Sequence, residues 1–156
     1  MKKQVNYAEG IFVGYRYYDA RKMDVLFPFG YGLSYTEFSY SNLKIDKSRI
    51  TAKDTLMVSL DVTNTGSMEG KEIVQLYVSD KTYSASRPVR ELKNFAAVTL
   101  KPGETKTVSM GLDYRAFAWY DTEQKDWYAA GGTYEICIGK SSRDIVMRTE
   151  VVLENE

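Results

Sequence analysis

The sequence contains no histidine and only one cysteine, Cys137. Without histidine, catalysis by Ser-His-Asp or Cys-His groups is excluded, as are the common zinc sites with histidine ligands. A single cysteine cannot form an internal disulfide, which excludes a small scaffold built on disulfide bridges. Neither common spacing of a glycine-rich phosphate-binding loop is present. We therefore expect no metal site and no cofactor.

An excess of charge of either sign is also missing, since 21 Lys and Arg residues balance 21 Asp and Glu residues. Such a chain has no long-range field to attract nucleic acid or anionic lipid, so we expect neither as a partner. No apolar run approaches the ~20 residues of a membrane-spanning helix. The basic start Met1-Lys2-Lys3 is followed by polar residues rather than by the apolar segment of a signal peptide, and the sequence indicates no compartment.

Aromatic side chains, in contrast, are abundant near the start of the chain. Nine of them lie in the first 35 residues, in a stretch that has neither a helical nor a strand period. Each buried aromatic ring removes ~150–250 Å² from water, so we expect this stretch to lie against a large surface. We call residues 1–35 the arm.

From Thr36 onward, short alternating segments separated by turn residues are typical of a β-sandwich. Apolar and polar residues alternate from Leu56 to Thr63, and Asn64-Thr65-Gly66 has the composition of a turn. Segment 71–79 is apolar on both faces, which favours a strand covered on both sides. The expected core consists of Leu56, Val58, Leu60, Val62, Leu76, Val78, Val108, Met110, Tyr134, Ile136 and Ile138.

The remaining segments complete this pattern. Lys101-Pro102-Gly103-Glu104 predicts a type II turn, which we interpret as a hairpin joining strands at 92–100 and 105–112. A long loop is expected at 80–91, and a short turn at Tyr114-Arg115-Ala116 precedes a predicted strand at 117–121. The prediction is an all-β, fibronectin III-like or immunoglobulin-like antiparallel β-sandwich of seven or eight strands, preceded by the aromatic-rich arm.

Two motifs in and beside the arm resemble a known family. They are Glu9–Asp19 (EGIFVGYRYYD) and Phe27–Thr36 (FPFGYGLSYT). Both resemble a signature near the end of family 3 glycoside hydrolases, the β-glucosidase and β-xylosidase family. In that family, the first motif leads out of the catalytic α/β region and the second leads into a C-terminal fibronectin type III-like domain.

The resemblance continues through the sandwich. Gly70–Val78 (GKEIVQLYV) resembles the family's G-x-E-V-x-Q-L-Y-V strand, Pro88–Phe95 (PVRELKNF) its P-x-K-E-L-K-G-F, and Leu100–Glu104 (LKPGE) its L-x-P-G-E. Asn94 stands where the family usually has glycine. Because asparagine tolerates left-handed backbone geometry, a turn at Asn94 stays possible.

The resemblance implies a division of the chain and a role. Residues 1–35 would be an arm or linker from the end of the catalytic α/β region, and 36–156 a fibronectin type III-like β-sandwich. The parent enzyme would hydrolyse terminal β-glucosides or β-xylosides with retention, in carbohydrate metabolism. Its catalytic residues would lie in upstream barrel and α/β domains, which are the expected partners, in the same or a neighbouring chain. This chain alone is predicted to be inactive.

The carboxylates of the chain agree with an inactive module. Retaining glycoside hydrolysis needs two carboxyl groups ~5–5.5 Å apart. None of the acidic residues here has a context that resembles the family's nucleophile motif, so we expect no catalytic residue, and we interpret Asp19 as paired with Arg16 or a backbone amide. The acidic residues considered are Glu9, Asp19, Asp24, Asp80, Asp121 and Asp126.

Aromatic residues near the end of the chain allow a different function. Trp119, Tyr120, Trp127 and Tyr128 lie on two short predicted strands joined by a polar loop. Sugar rings stack on exposed aromatic faces, so the alternative is a free-standing glycan- or protein-binding module that uses the Trp119/Trp127 hairpin. The competing interpretation is that one tryptophan fills the core.

Two further expectations concern side chains on the outer face of the sandwich. Cys137 should share the face of Glu135, opposite the core, as an inert thiol. The arm should fold onto the outer face of segment 71–79 and the loop at 88–92, of its own chain or of a second copy, which would give a homodimer. The candidate docking residues are Phe12, Tyr15, Arg16, Tyr17, Tyr18, Phe27, Phe29, Tyr31, Ile73 and Tyr77.

Overall fold

The computed structural model describes residues 8–82 and 87–155. Within them, strands dominate and confirm the all-β prediction. They include two strands that the sequence analysis did not predict, at 38–45 and 49–50. The elements in chain order are α1 (Tyr15–Ala20), β1 (Phe38–Ile45), β2 (Arg49–Ile50), β3 (Leu56–Asn64), β4 (Gly70–Asp80), β5 (Glu91–Leu100), β6 (Thr105–Leu112), α2 (Tyr114–Phe117), β7 (Trp119–Asp121), β8 (Asp126–Tyr128), β9 (Gly132–Gly139) and β10 (Ile145–Leu153).

The core lies between two sheets. One has three strands in the order β1-β3-β6, and the other has five strands in the order β2-β10-β9-β4-β5. Strands β7 and β8 form a separate antiparallel hairpin. The predicted antiparallel sandwich is therefore present, with one difference at its edge, where the two residues of β2 pair in parallel with the end of β10.

Every side chain that the sequence placed in the core is buried. Strand β3 shows why, because its alternate residues from Leu56 to Val62 point between the sheets. Opposite them on β6, Met110 is in register with Val58, and Val108 with Leu60. Residues directly opposite each other on neighbouring strands point to the same face of a sheet, so these pairs enter the core together.

Strand β4 is buried on both faces from Val74 to Val78, as its composition predicted. Leu76 and Val78 enter the core, whereas Gln75 and Tyr77 lie on the outer face beneath the arm. Ile73 is 41% exposed, so the cover over the outer face does not extend to the first part of the strand.

The turn at Lys101–Glu104 was predicted correctly, but the hairpin was wrong. Glu104 N–H donates to the Lys101 carbonyl at 2.9 Å, and Gly103 has φ of 74°, as a type II turn requires. The strands on either side do not pair with each other, since β5 pairs with β4 and β6 pairs with β3. The turn therefore carries the chain from the five-stranded sheet to the three-stranded sheet.

One other local prediction was wrong, and the turn that the sequence left possible at Asn94 is not formed. Phe117 ends α2 instead of beginning a strand, and β7 starts only at Trp119. Asn94 makes no left-handed turn but lies within β5, where its Nδ2 donates to the carbonyl of Gly111 in β6 at 2.9 Å and its Oδ1 accepts the N–H of Phe95 at 2.8 Å. The asparagine amide thus links the two sheets, which a glycine could not do.

Part of the sequence-based interpretation lies outside the described residues. This applies to Met1-Lys2-Lys3 and to Ser84 and Ser86 of the expected loop at 80–91. In the described ranges, none of the helices has the length and apolar character needed to cross a membrane. The same ranges contain no group of three or more Cys, Asp or Glu side chains placed to hold a metal ion.

Candidate docking surface

The arm contains a helix that the sequence did not predict. The Gly14 carbonyl accepts the N–H groups of Tyr17 at 3.1 Å and Tyr18 at 3.3 Å, which begins α1. The helix has six residues, fewer than two turns, so its aromatic residues show no helical period. Its role is to direct Tyr15 and Arg16 towards the sandwich.

Tyr15 is the main aromatic contact between the arm and the sandwich. Its ring stacks on Phe29 with centroids 4.5 Å apart and meets Tyr77 of β4 edge to face at 6.4 Å. Its hydroxyl oxygen accepts the backbone N–H of Leu92 at 2.9 Å. A single side chain therefore contacts the outer face of β4 and the start of β5.

The backbone of the arm is bonded to the same face at Phe29 and Gly30. The Phe29 carbonyl accepts the N–H of Ser142 at 2.8 Å, and the Gly30 carbonyl accepts Nε2 of Gln75 at 2.9 Å. Gly30 has φ of 80°, which L side chains rarely adopt, and a Cβ there would lie 2.0 Å from Gln75 Oε1, so the position favours glycine. Burial raises the pKa of Tyr77, and its protonated hydroxyl donates to Gln75 Oε1 at 2.5 Å.

Arg16 joins a cluster of charges around Glu91. The Glu91 carboxylate oxygens form ion pairs with a guanidinium nitrogen of Arg16 at 3.3 Å, with one of Arg87 at 3.0 Å and with Nζ of Lys93 at 3.5 Å. Burial lowers the pKa of Lys93, an effect that the neighbouring Glu91 carboxylate opposes. Glu91 thus links α1 to Arg87 and Lys93, which precede and follow Glu91 in the chain.

Asp19 does not pair with Arg16 as expected. Its Oδ1 instead accepts Nε of Arg143 at 2.8 Å, and the same guanidinium donates to the Met23 carbonyl at 2.6 Å. Arg143 lies between β9 and β10, 124 positions away from Asp19. A pairing over that distance leaves no local pattern in the sequence.

The other docking candidates of the arm, apart from Phe29, are half-buried or exposed and stack, where they do, on one another. Phe12 is half-buried, while Tyr17 and Tyr18 are exposed and meet edge to face at 5.9 Å. Phe27 and Tyr31 stack on each other at 5.2 Å, and both are exposed.

Three apolar side chains that the sequence analysis did not single out are still more exposed. Leu26 is 88% exposed, Leu33 89% and Tyr35 94%. We call these residues, with Phe27 and Tyr31, the outer strip. They lie in or next to the Phe27–Thr36 motif, but this segment has no period that distinguishes inward from outward positions.

Comparisons with known proteins agree with this geometry. A family model described as fibronectin type III-like domain matches residues 72–142. The chain is 54% identical over 148 residues to thermostable β-glucosidase B of Acetivibrio thermocellus, a match that covers 95% of this chain and 20% of that enzyme. The structure of the GH3 β-glucosidase of Bifidobacterium adolescentis has a TM-score of 0.89 and 41% identity, covering 98% of this chain and 22% of that one.

The chain is a fibronectin type III-like module of family 3 glycoside hydrolases. It spans about a fifth of the length of the curated relatives it matches, including an exo-α-(1→6)-L-arabinopyranosidase of Bifidobacterium breve that is 45% identical over 152 residues, 97% of this chain and 20% of that enzyme. These matches confirm the resemblance of the motifs. They agree with the expected C-terminal, non-catalytic position of the module.

The module uses its own carboxylates structurally. Asp80 Oδ1 accepts the N–H of Thr82 at 2.8 Å. Asp121 and Asp126 face each other across the β7–β8 hairpin, and each accepts backbone N–H groups of that hairpin, Asp121 at 2.8 and 3.1 Å and Asp126 at 2.7 Å. These bonds stabilise the hairpin turn.

The aromatic side chains of the β7–β8 hairpin form two edge-to-face pairs. Trp119 contacts Tyr128 at 5.0 Å, and Tyr120 contacts Trp127 at 5.9 Å. A guanidinium lies over each indole, Arg87 over Trp119 at 4.6 Å and Arg115 over Trp127 at 3.7 Å. Cation–π contacts of this kind occupy a ring face that a sugar would otherwise use.

Neither tryptophan fills the core of the module, so that interpretation was wrong. Phe117 and Tyr134 occupy the core beside the hairpin, with ring centroids 5.2 Å apart in an edge-to-face arrangement. Trp119 is half-buried and Trp127 is exposed.

Cys137 shares the face of Glu135, as its position on β9 predicted, and it is buried there. Its thiol donates to Glu135 Oε2 at 3.2 Å. Burial, together with the nearby Glu135 carboxylate, raises the pKa of the thiol to about 12. A thiol of this kind stays protonated and is a poor nucleophile.

Proposed function

We propose that the module is the C-terminal, non-catalytic part of an enzyme that hydrolyses terminal β-linked glucose or xylose by the retaining two-carboxylate mechanism. Relatives named as β-glucosidases support this reaction class. Relatives named as arabinopyranosidases are matched as well, which supports a role for the module that does not depend on the sugar.

The outer strip is the observation that carries this proposal. The sandwich holds the arm through Tyr15, Gly30 and Asp19, while the side chains of the outer strip stay exposed. Apolar surface left in water is unfavourable by ~25 cal/mol per Å², so side chains this exposed are expected to meet another protein surface. We assign 1–35 as the linker from the α/β region and 36–156 as the sandwich, so the strip would pack on the barrel and α/β domains.

The same surface bears on self-association. In the structure the arm lies on its own chain. We therefore expect a homodimer through the arm only for the isolated chain, in which the catalytic domains are absent and the outer strip has no other partner. Sedimentation of the isolated chain tests this, and a monomer at high concentration contradicts the dimer.

A chimeric enzyme tests the proposed role. The corresponding segment of the Acetivibrio thermocellus β-glucosidase is replaced with this chain, and hydrolysis of an aryl β-glucoside and its half-life on heating are measured. We expect the chimera to be active and the isolated chain to be inactive. Leu33→Asp or Tyr35→Asp should shorten the half-life of the chimera but change the stability of the isolated chain by less than about 0.5 kcal/mol, as is usual for exposed positions.

Met57→Asp is the matched control, because Met57 is an exposed apolar residue on β3, away from the arm. Equal half-lives for all three chimeric variants would contradict docking through the outer strip. Hydrolysis by the isolated chain that is lost in Asp121→Asn would contradict the non-catalytic role.

A further inference from the structure

Glu91 is contacted from two parts of the molecule through different oxygens. Arg16 of the arm approaches Oε1 at 3.3 Å. Arg87 approaches Oε2 at 3.0 Å, and its guanidinium also lies over the ring of Trp119 in the β7–β8 hairpin at 4.6 Å. A continuous series of contacts therefore runs from the arm through one carboxylate to the hairpin.

We propose that Glu91 couples the docking of the arm to the position of the β7–β8 hairpin. With the arm docked, Arg16 holds Oε1, so the carboxylate has a fixed orientation and presents Oε2 to Arg87. When the arm leaves, Oε1 loses its partner while Arg87 and Lys93 stay on Oε2, so the carboxylate rotates together with these two side chains, and Trp119 moves with Arg87.

The surroundings of Arg87 explain why it has to follow Glu91. Arg87 is 8% exposed, and its Nε and Nη1 atoms have no hydrogen-bond partner within the described residues. Leaving a buried charge without its counter-ion is strongly unfavourable, so the guanidinium stays with the carboxylate. The cavity beside Arg87, whose lining includes Asp80, Glu91, Lys93 and Tyr134, measures only about 10 Å³, which leaves little room for the guanidinium to adjust alone.

Through this coupling, the position of the hairpin depends on whether the arm is docked, and so on what the arm contacts in the rest of the enzyme. The hairpin presents Tyr120 and Trp127 at the surface, both exposed. The arm is the segment that meets the catalytic domains if the proposed function is correct. The coupling itself does not rest on that function, because every contact in it belongs to this chain.

The two tryptophans of the chain make the test direct. A ¹H–¹⁵N spectrum of the full 156-residue chain contains two indole signals, which Trp127→Phe assigns. In Arg16→Gln, which changes only the arm side, we expect the Trp119 signal to move more than the Trp127 signal. Cleavage of the arm by protease should rise roughly twofold to fivefold, as for loss of a partly exposed ion pair. Glu91→Gln should produce both effects more strongly.

Arg49→Gln is the matched control, since it removes the exposed ion pair between Arg49 and Glu154 at the far sheet edge. It should leave both indole signals and the arm unchanged. The inference fails if Arg16→Gln speeds cleavage without moving the Trp119 signal, if neither changes, or if the control moves that signal equally. If the Glu91→Gln variant does not fold, the Arg16→Gln variant is sufficient for the test. The Arg16 side chain is partly exposed, so its replacement should leave the chain folded.

Discussion

Tyr15 of the arm and Tyr77 of β4 meet edge to face, with ring centroids 6.4 Å apart. The contact accounts for an aromatic residue on the outer face of a sandwich strand, where a solvated face would carry polar residues. Tyr77 is completely buried, although it points away from the core between the sheets. The arm is therefore part of the fold of this module and covers one face of the five-stranded sheet.

We expect Tyr15→Ala to detach the arm. The variant loses the ring contacts with Phe29 and Tyr77 and the bond from Leu92, at a cost of about 2 kcal/mol for the partly buried ring and bond together. Limited proteolysis of residues before Thr36 measures the detachment. Tyr15→Phe should cost only about 1 kcal/mol, the value of one hydrogen bond.

The control for this prediction is Tyr17→Ala, on the same helix but exposed. It should leave the cleavage rate close to that of the wild type. If Tyr17→Ala and Tyr15→Ala free the arm equally, the contact with Tyr77 is not what holds it.

Leu60→Ala should destabilise the sandwich by roughly 2–5 kcal/mol, since it removes a buried side chain between the sheets. Urea unfolding followed by circular dichroism measures the free energy of unfolding. Met57→Ala on the same strand is the control and should cost less than about 0.5 kcal/mol, because Met57 points to solvent. Equal losses in the two variants would contradict the assigned faces of β3.

Cys137 should make the stability depend on pH at alkaline values. Its pKa rises from 9.0 to about 12 in the folded chain, mainly because of burial, so the native state keeps the proton that the unfolded chain loses. The resulting stabilisation is complete below about pH 9 and is lost as the pH rises towards 12. We therefore expect the free energy of unfolding to fall over this range more steeply for the wild type than for Cys137→Ser.

Urea unfolding at several pH values between 8 and 11 measures that difference, and the other titrating groups cancel between the two proteins. Parallel curves for the wild type and Cys137→Ser would contradict a protonated, buried thiol. Labelling with a thiol reagent gives an independent check, since the folded chain should react only as fast as it opens.

Glycans should not bind the β7–β8 hairpin of the isolated chain. Arg115 lies 3.7 Å above the Trp127 ring and Arg87 lies over Trp119, so a guanidinium already occupies a face of each indole. Titration with β-linked glucose and xylose oligosaccharides should give no saturable change in tryptophan fluorescence. Saturable quenching that Trp127→Ala abolishes would support the alternative of a free-standing binding module.

Local sequence predicted the strands and the core because both depend on short-range patterns. Alternation along β3 places Leu56 to Val62 between the sheets regardless of what lies opposite. Pro102 and Gly103 specify their turn through the backbone angles that these two residues favour. The arm motifs indicated the family for a similar reason, since they are contiguous in the chain.

Tertiary structure alone decided which elements meet. The turn at Lys101–Glu104 has the same geometry whether or not the strands on either side of it pair. Here they do not, because β5 pairs with β4 and β6 pairs with β3. Asp19 binds Arg143 rather than the nearby Arg16 because α1 directs Arg16 to Glu91. In the arm, with no period to mark an inner face, contact with β4 determined that Tyr15 would be covered and Leu33 exposed. Such choices depend on contacts between residues far apart in the chain, and a local pattern contains no information about them.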